Sequence, residues 1–476
     1  MAVVDEPSRT GGHQAIDDIY AEAEHWELNT GKVRIHAKRS PGRFRRLKWF
    51  TQSVWLIFFL GPYLRWDDRQ AVLFDLPNRQ FHLFGVTVMP QDIWMLAMIL
   101  VFFALLMAAV TSIAGRVFCG FFCFQTAWTD LFTLIEEYLE GPPHKRRKLD
   151  KAPWTGEKIR LRTIKFTLWL LISMLTGVTF AAWFTDAFQL WHDYFTLSAH
   201  PAAWVVLGLF TAGTFINAGL LREQVCFWLC PYARIQGTMY DEETILPTYD
   251  ERRGEPRGKL HGHRGADEPP RGDCIDCNLC VAVCPTGIDI RDGQQEGCIT
   301  CALCIDACDE VMDKLGKPHG LIRYASLDEM KGKPAVALLR RPRVIVYFAI
   351  MALATAGIVY GLLSLGAVEL TVLHERQPLY VQLSDGSIQN KFTIKVLNKT
   401  NEEMEVIITA SGIDGMTVIG LDENLLVPRN HLKTISVFIR VPAEAALDNL
   451  TPVTFSIESV NDPERRDEAV NNFVAP

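Results

Sequence analysis

Two cysteine runs decide the fold of this chain: CIDCNLCVAVCP at 274–285 and CITCALCIDAC at 298–308. Both follow the spacing C-x2-C-x2-C-x3-C, which is typical of proteins that hold two [4Fe-4S] clusters, because three cysteines bind one cluster and the fourth reaches the other. Structural zinc sites use paired CxxC or mixed Cys and His sets, so zinc is the weaker alternative. We predict a first set, Cys274, Cys277, Cys280 and Cys308, and a second set, Cys298, Cys301, Cys304 and Cys284.

The other four cysteines form two C-x3-C pairs, Cys119 with Cys123 and Cys226 with Cys230, and we call these four the membrane thiols. The pairs are offset by 107 residues at both positions (226 − 119 and 230 − 123), which indicates an internal repeat. On a continuing helix, residues four apart share one face, so each pair is expected to present two thiols together. Soft thiolates favour Cu(I), iron-sulfur clusters or zinc, so the residues alone leave open copper, a further cluster or a disulfide cycle.

Long apolar segments on either side of these motifs predict a membrane protein. Four of them, 93–115, 166–185, 202–221 and 344–368, contain no Asp, Glu, Lys or Arg. Each has enough residues to cross a hydrocarbon layer about 30 Å thick as a helix. A fifth span is predicted at Trp49–Leu64, where aromatic residues lie at both ends.

Loop charges predict the orientation of these spans. The loop 116–162 is rich in Lys and Arg, whereas 185–201 contains neither, and positively charged loops remain in the cytoplasm. All twelve cysteines then face the cytoplasm, a reducing compartment in which clustered thiols act as metal ligands or redox groups. The predicted parts are a cytoplasmic segment 1–47, a four-helix membrane domain 48–232, a cytoplasmic ferredoxin-type domain 233–342, a fifth transmembrane helix 343–368 and a periplasmic domain 369–476.

The region after 369 has a different pattern, in which apolar and polar residues alternate, as in KFTIKVLN and LKTISVFIRV. About seven short strands of this kind predict an immunoglobulin-like β-sandwich. The fold class is therefore a polytopic α-helical membrane protein with a double [4Fe-4S] insert and an all-β domain at its carboxyl end. The composition agrees, since 49% of the residues are hydrophobic and the net charge of −7 excludes the basic balance of a nucleic-acid binder.

The order of these elements resembles the family of cytochrome c oxidase accessory proteins called CcoG, FixG or RdxA. The resemblance covers nearly the whole chain. It includes RQAVLFDLPNRQFHLFG at 69–85, both C-x3-C pairs, the double cluster motif with CALCIDACDE at 301–310 and the strand-rich terminal domain.

This resemblance implies a multi-pass protein of the bacterial inner membrane that acts in the assembly of cbb(3)-type cytochrome oxidase. It implies reduction of Cu(II) to Cu(I), with Cys119, Cys123, Cys226 and Cys230 as candidates for the catalytic step. The expected cofactors are two [4Fe-4S] clusters and copper. The expected partners are membrane lipid, oxidase subunits, copper-handling proteins and a cytosolic electron donor. Two other functions compete with this one: a quinol-linked electron-transfer subunit, and an assembly scaffold whose clusters are structural.

Overall fold

A computed structural model describes residues 20, 28–29, 35–66, 69–77, 79–84, 86–88, 93–259, 270–334, 336–364, 366–400, 402–421, 424–442 and 449–475. Most of the predicted segment 1–47 lies outside the described residues. The chain forms two compact units, which we describe separately. The first unit comprises the described residues of Met1–Leu60, Met98–Ala181 and Asp193–Thr355, and the second those of Gly61–Ala97, Ala182–His192 and Ala356–Pro476.

The described part of the chain contains five helical stretches that are long and apolar enough to cross a membrane. They are Trp94–Ala114, Val117–Glu140, Gly156–Ala182, Pro201–Leu221 and Pro342–Leu363. Four of the five coincide with predicted spans. The stretch Val117–Glu140 was not predicted because it carries acidic residues, among them Asp130, which is paired with Lys48 at 3.1 Å.

The predicted span Trp49–Leu64 is wrong as a single helix. The chain there is divided into Arg43–Gln52, Trp55–Leu60 and the short 3-10 helix Gly61–Tyr63. The hydroxyl groups of Thr51 and Ser53 donate to backbone carbonyl oxygens of the preceding turn, at 3.0 Å and 2.6 Å. Such local bonds compete with the helical ladder, which explains why the helix ends there.

The remaining helices of the first unit are short and amphipathic or lie in loops. They include Pro143–Lys151, Val225–Leu229, Pro231–Gly237, Glu251–Gly254, Leu279–Ala282, Leu303–Leu315 and Leu327–Met330, while the stretch Val117–Glu140 itself consists of the helices Val117–Phe121 and Phe124–Glu140. Strands Leu246–Tyr249 and Ile322–Ala325 pair antiparallel across the ferredoxin-type region. A buried core that includes Leu279, Val281, Ile299 and Met312 packs around the cysteine runs, and this packing stabilises the ligand loops.

We number the strands β1 to β16 along the chain. Leu246–Tyr249 (β6) and Ile322–Ala325 (β7) belong to the first unit, and the other strands belong to the second. Strands β1 (Arg65–Trp66) and β2 (Arg69–Gln70) form a small ladder. The meander β3 (Val72–Asp75), β4 (Gln80–Leu83) and β5 (Val86–Val88) follows. Strands β3 and β4 pair antiparallel as a hairpin.

The terminal domain is a sandwich of two antiparallel sheets. Its strands are β8 Val368–His374, β9 Val381–Gln382, β10 Ile388–Asn398, β11 Met404–Ser411, β12 Thr417–Ile419, β13 Leu425–Val427, β14 Leu432–Val441, β15 Leu450–Ser459 and β16 Arg466–Val474. One sheet has the order β12-β14-β10-β8, with β9 beside β10, and the other has the order β13-β11-β15-β16. Alternate residues of β10 and β15 are buried, including Phe392 and Phe455. The apolar side chains of the alternating pattern therefore form the core between the two sheets.

Candidate iron-sulfur and thiol sites

The two cysteine runs adopt the same local backbone shape. In the first run, Asp276 and Asn278 have φ of 51° and 55°, and the matching residues of the second run, Thr300 and Ala302, have φ of 56° and 59°. A left-handed φ is costly for residues other than glycine. Because four different residue types share it at matching positions, the shape follows from the cysteine spacing rather than from local preference.

The runs bring their cysteines together around two cavities. Cys274, Cys277, Cys280 and Cys308 line the first cavity. Cys284, Cys298, Cys301 and Cys304 line the second, and Cys280 reaches both. The fourth cysteine of each run therefore lies with the first three of the other run, which is the arrangement that crossed ligation requires.

The chemistry of these cavities fits cubane clusters. Apart from the cysteines, their walls are largely apolar, with Leu279 and Val311 at the first cavity and Ile288 and Leu303 at the second. In the part of the chain that the structure describes, no three His, Cys, Asp or Glu side chains are close enough to surround one metal ion. In a [4Fe-4S] cluster each thiolate binds a different iron, whereas the ligands of zinc all bind one ion. Cysteines that are too far apart to surround one ion therefore fit a cluster better than zinc.

Burial keeps the ligand thiols protonated until iron binds. It raises the pKa of Cys298 and of Cys308 to about 12, well above the ordinary value for a thiol. Iron binds the thiolate form, so loading of the clusters must release these protons.

The membrane thiols do not lie on continuing helices, which corrects the geometry expected from their spacing. Cys119 lies in Val117–Phe121, and Cys123 is the extended residue (φ −59°, ψ 130°) just before Phe124–Glu140. Cys226 lies in the π-helix Val225–Leu229, and Cys230 is the extended residue (φ −81°, ψ 108°) before Pro231–Gly237.

The two pairs nevertheless share one structure. The backbone N–H of Cys123 donates to the carbonyl oxygen of Phe118 at 2.9 Å, and that of Cys230 donates to Val225 at 2.8 Å. Both bonds span five residues, so each pair is a short helix closed by a wide turn at its second cysteine. The predicted repeat is present in the backbone as well as in the sequence.

The repeat places the membrane thiols within electrostatic range of one another: Cys119 of Cys123, Cys226 and Cys230, and Cys226 of Cys123 and Cys230. Among the described residues, no three of these thiols are close enough to surround one metal ion, so the structure shows neighbouring pairs rather than an assembled metal site. Cys119 is buried, and its Sγ lies 3.2 Å from Oε1 of Gln236, to which it can donate. All twelve cysteines are free thiols in the structure. Whether the membrane thiols bind copper remains a prediction.

The two arginines that precede the pairs differ in their roles. Arg116, three residues before Cys119, is within electrostatic range of Cys119 and Cys226. Arg222 instead pairs with the carboxylate of Glu136 at 2.6 Å. Its guanidinium is therefore held by an acidic group rather than by a thiol.

Sequence reasoning missed the ion network to which Glu136 belongs. Its carboxylate also contacts Lys165 at 3.0 Å and Arg146 at 3.4 Å, and all of these side chains are almost completely buried. The only signal was the acidic residues of LIEEYLE within an otherwise apolar helical pattern. Since Arg222 belongs to this network, it anchors the loop that leads into Cys226.

Together these features define a membrane-bound iron-sulfur electron-transfer protein. Comparison with sequence families agrees with this class. Residues 221–327 match the family described as 4Fe-4S dicluster domain, and residues 95–140 match the family described as 4Fe-4S binding domain. Residues 358–476 match the family described as an IG-like fold at the C-terminal of FixG.

Full-length relatives then identify the family. The chain is 42% identical to the nitrogen fixation protein FixG of Rhizobium meliloti, covering 86% of this chain and 85% of that protein. It is 44% identical to RdxB of Cereibacter sphaeroides (86% and 91% covered) and 41% identical to RdxA of the same organism (92% and 96% covered). The chain belongs to the FixG/RdxA family.

Among solved structures, a FixG-related protein from Vibrio parahaemolyticus matches with 18% identity and a TM-score of 0.21. The match covers 23% of this chain and 97% of that one.

Proposed function

We propose that the protein reduces Cu(II) to Cu(I) at the membrane thiols and so supplies copper for the maturation of a cbb(3)-type oxidase. The observation that carries this proposal is the placement of both thiol pairs, Cys119 with Cys123 and Cys226 with Cys230, in the unit that also holds both ligand sets. When bound, the two clusters supply single electrons. The resemblance to the CcoG, FixG and RdxA proteins supports copper as the acceptor.

The chain's own residues favour the reduced product. Thiolate sulfur binds Cu(I) more strongly than the harder ligands do, so thiol ligands from the two pairs would stabilise Cu(I) relative to Cu(II). Gln236 lies within hydrogen-bonding distance of Cys119 and orients that thiol. The buried pair between Arg222 and Glu136 fixes the loop that carries Cys226.

The proposed sidedness places the ligand sets in the cytoplasm and the terminal sandwich in the periplasm of a bacterial inner membrane. The charge difference between Pro143–Lys151, which is rich in Lys and Arg, and 185–201, which contains neither, supports this orientation. A reporter that works only outside the cytoplasm should be active when fused after Val368 and inactive when fused near Gly287. The opposite result would reverse the orientation.

The chemical proposal can be tested on anaerobically purified, dithionite-reduced protein by stopped-flow absorbance. Rapid recovery of the visible cluster absorbance on addition of Cu(II), with the Cu(I) product trapped by a chelator, is the expected result. Recovery with a quinone but not with Cu(II) would indicate the quinol-linked function instead. If neither acceptor oxidises the protein, the assembly-scaffold function is favoured.

A further inference from the structure

We infer that the two ligand sets are not equivalent: the second set exchanges electrons with the membrane thiols, and Arg116 is the positioning residue that holds the two sites together. This inference rests on the proposed function. In this inference the first set receives electrons from the cytosolic donor and passes them to the second set.

The backbone of the first thiol pair is in direct contact with the second ligand loop. A Cβ atom placed on Gly120, next to Cys119, would lie 2.5 Å from the carbonyl oxygen of Ile299 and 2.9 Å from Cα of Cys301. No side chain could fit there without moving backbone atoms. Gly120 therefore permits the closest approach between a thiol helix and a ligand loop.

The second thiol pair contacts the same loop from its own side. The ring of Phe227, next to Cys226, lies against Gly297, next to Cys298, so closely that a Cβ atom on Gly297 would overlap it. Both halves of the thiol repeat thus meet the run that begins at Cys298. The two contacts are independent of each other, since they involve different helices.

Arg116 links three segments at this junction. Its backbone N–H donates to Oγ1 of Thr300 at 3.1 Å, and its guanidinium donates to the carbonyl oxygens of Glu296 and Ala233. Thr300 and Glu296 flank Cys298, and Ala233 belongs to the helix that follows Cys230. The Arg116 side chain is buried, so one cation ties the ligand loop to both thiol pairs.

Charge reinforces this link. Arg116 interacts electrostatically with Cys298 as well as with Cys119 and Cys226. A buried positive charge between two sites favours the more negative, reduced state of each.

The surroundings of the first set are different. Its cavity is lined by residues of the ferredoxin-type region, such as Tyr249, Arg291 and Leu321. The contacts of Gly120, Phe227 and Arg116, in contrast, all meet the segment 296–301 of the second run, which places the second set next to the thiols. In the inferred transfer one electron leaves the reduced cluster of the second set, which passes from the 1+ to the 2+ state, and Cu(II) becomes Cu(I).

The test compares Arg116→Gln with Arg234→Gln, which removes an exposed arginine from the helix after Cys230. Low-temperature EPR during a redox titration should show that Arg116→Gln changes the spectrum and lowers the potential of one cluster only. Copper-dependent reoxidation should slow by about tenfold or more, as is typical when a residue supporting a metal site is lost. Arg234→Gln should match the parent, and Arg116→Lys should restore the potential.

The affected signal must belong to the second set. It should be the signal that Cys301→Ser removes, and Cys277→Ser should remove the other. If Arg116→Gln loses iron, Thr300→Val should give the same selective change, because it removes only the acceptor of the Arg116 N–H.

A change in both signals, in neither, or in the one removed by Cys277→Ser would overturn the inference. A selective EPR change in a protein whose parent does not reduce copper would instead refute the proposed function and leave the assignment of Arg116 standing.

Discussion

The ligand loops and the membrane thiols are two cysteine-rich regions of one unit, and they follow from the sequence in different ways. In the ligand loops, spacing alone fixes the geometry, and two runs of different sequence reach the same left-handed φ values. In the thiol pairs, the C-x3-C spacing would place both cysteines on one helix face, yet each helix ends before its second cysteine. The four-cysteine runs therefore determine their own backbone conformation, whereas the conformation of the C-x3-C pairs depends on residues elsewhere in the chain.

The largest expected effect is on iron content, which should fall when a ligand-loop cysteine is replaced but not when a membrane thiol is replaced. The parent protein should contain roughly eight irons, and Cys301→Ser should lose about four of them because a [4Fe-4S] cluster needs all four of its thiolates. Cys226→Ser should keep the full amount. Iron and acid-labile sulfide assays of anaerobically purified protein measure this directly. Iron near twelve in the parent would place a further cluster on the membrane thiols and would remove the distinction between the regions.

The next effect concerns the ion network beneath the second thiol pair. Glu136→Gln leaves Lys165, Arg146 and Arg222 buried with one negative charge fewer, which should destabilise the protein by about 3 kcal/mol. Thermal unfolding in detergent measures the change. As a control, Glu157→Gln alters an exposed residue in a first helical turn and should cost at most about 0.5 kcal/mol. Equal effects of the two substitutions would show that the network does not support the thiol loop.

A smaller effect is expected where the two regions touch. Gly120→Ala forces a methyl group against the backbone at Ile299, so the cost should be about 1–3 kcal/mol. The same substitution at Gly213, where a Cβ atom meets no other atom within 4 Å, should be neutral or stabilising by up to about 1 kcal/mol. Thermal unfolding compares the two variants. If Gly120→Ala is as stable as Gly213→Ala, the close contact between thiol helix and ligand loop is absent.

The sequence was sufficient to predict the features that depend on local chemistry. These are the two crossed ligand groups, four of the five apolar helices and the alternating strands of the sandwich. Strands β9 and β12 have two and three residues, too few for a periodic pattern to appear. The division of Trp49–Leu64 depends on two hydroxyl groups that bond to the preceding turn.

Features that depend on distant partners could not be predicted. The amide of Gln125, which follows Cys123, donates to the carbonyl oxygens of Asn217 and Arg222 at 2.8 Å and 3.1 Å. The turn at Cys123 is therefore stabilised by residues about ninety positions away, and no local pattern reveals them. The same holds for Arg116, whose partners Ala233 and Glu296 become neighbours only in the folded chain.

One measurement tests the central claim most directly: Cu(II)-dependent reoxidation of the chemically reduced clusters in the double variant Cys226→Ser and Cys230→Ser. The ligand sets have their own eight thiolates, so the cluster spectrum should remain intact. Reoxidation by Cu(II) should be lost and Cu(I) affinity should fall, because a hydroxyl oxygen is a poor ligand for a soft ion. A variant with full cluster content that reduces copper at the parental rate would contradict the account.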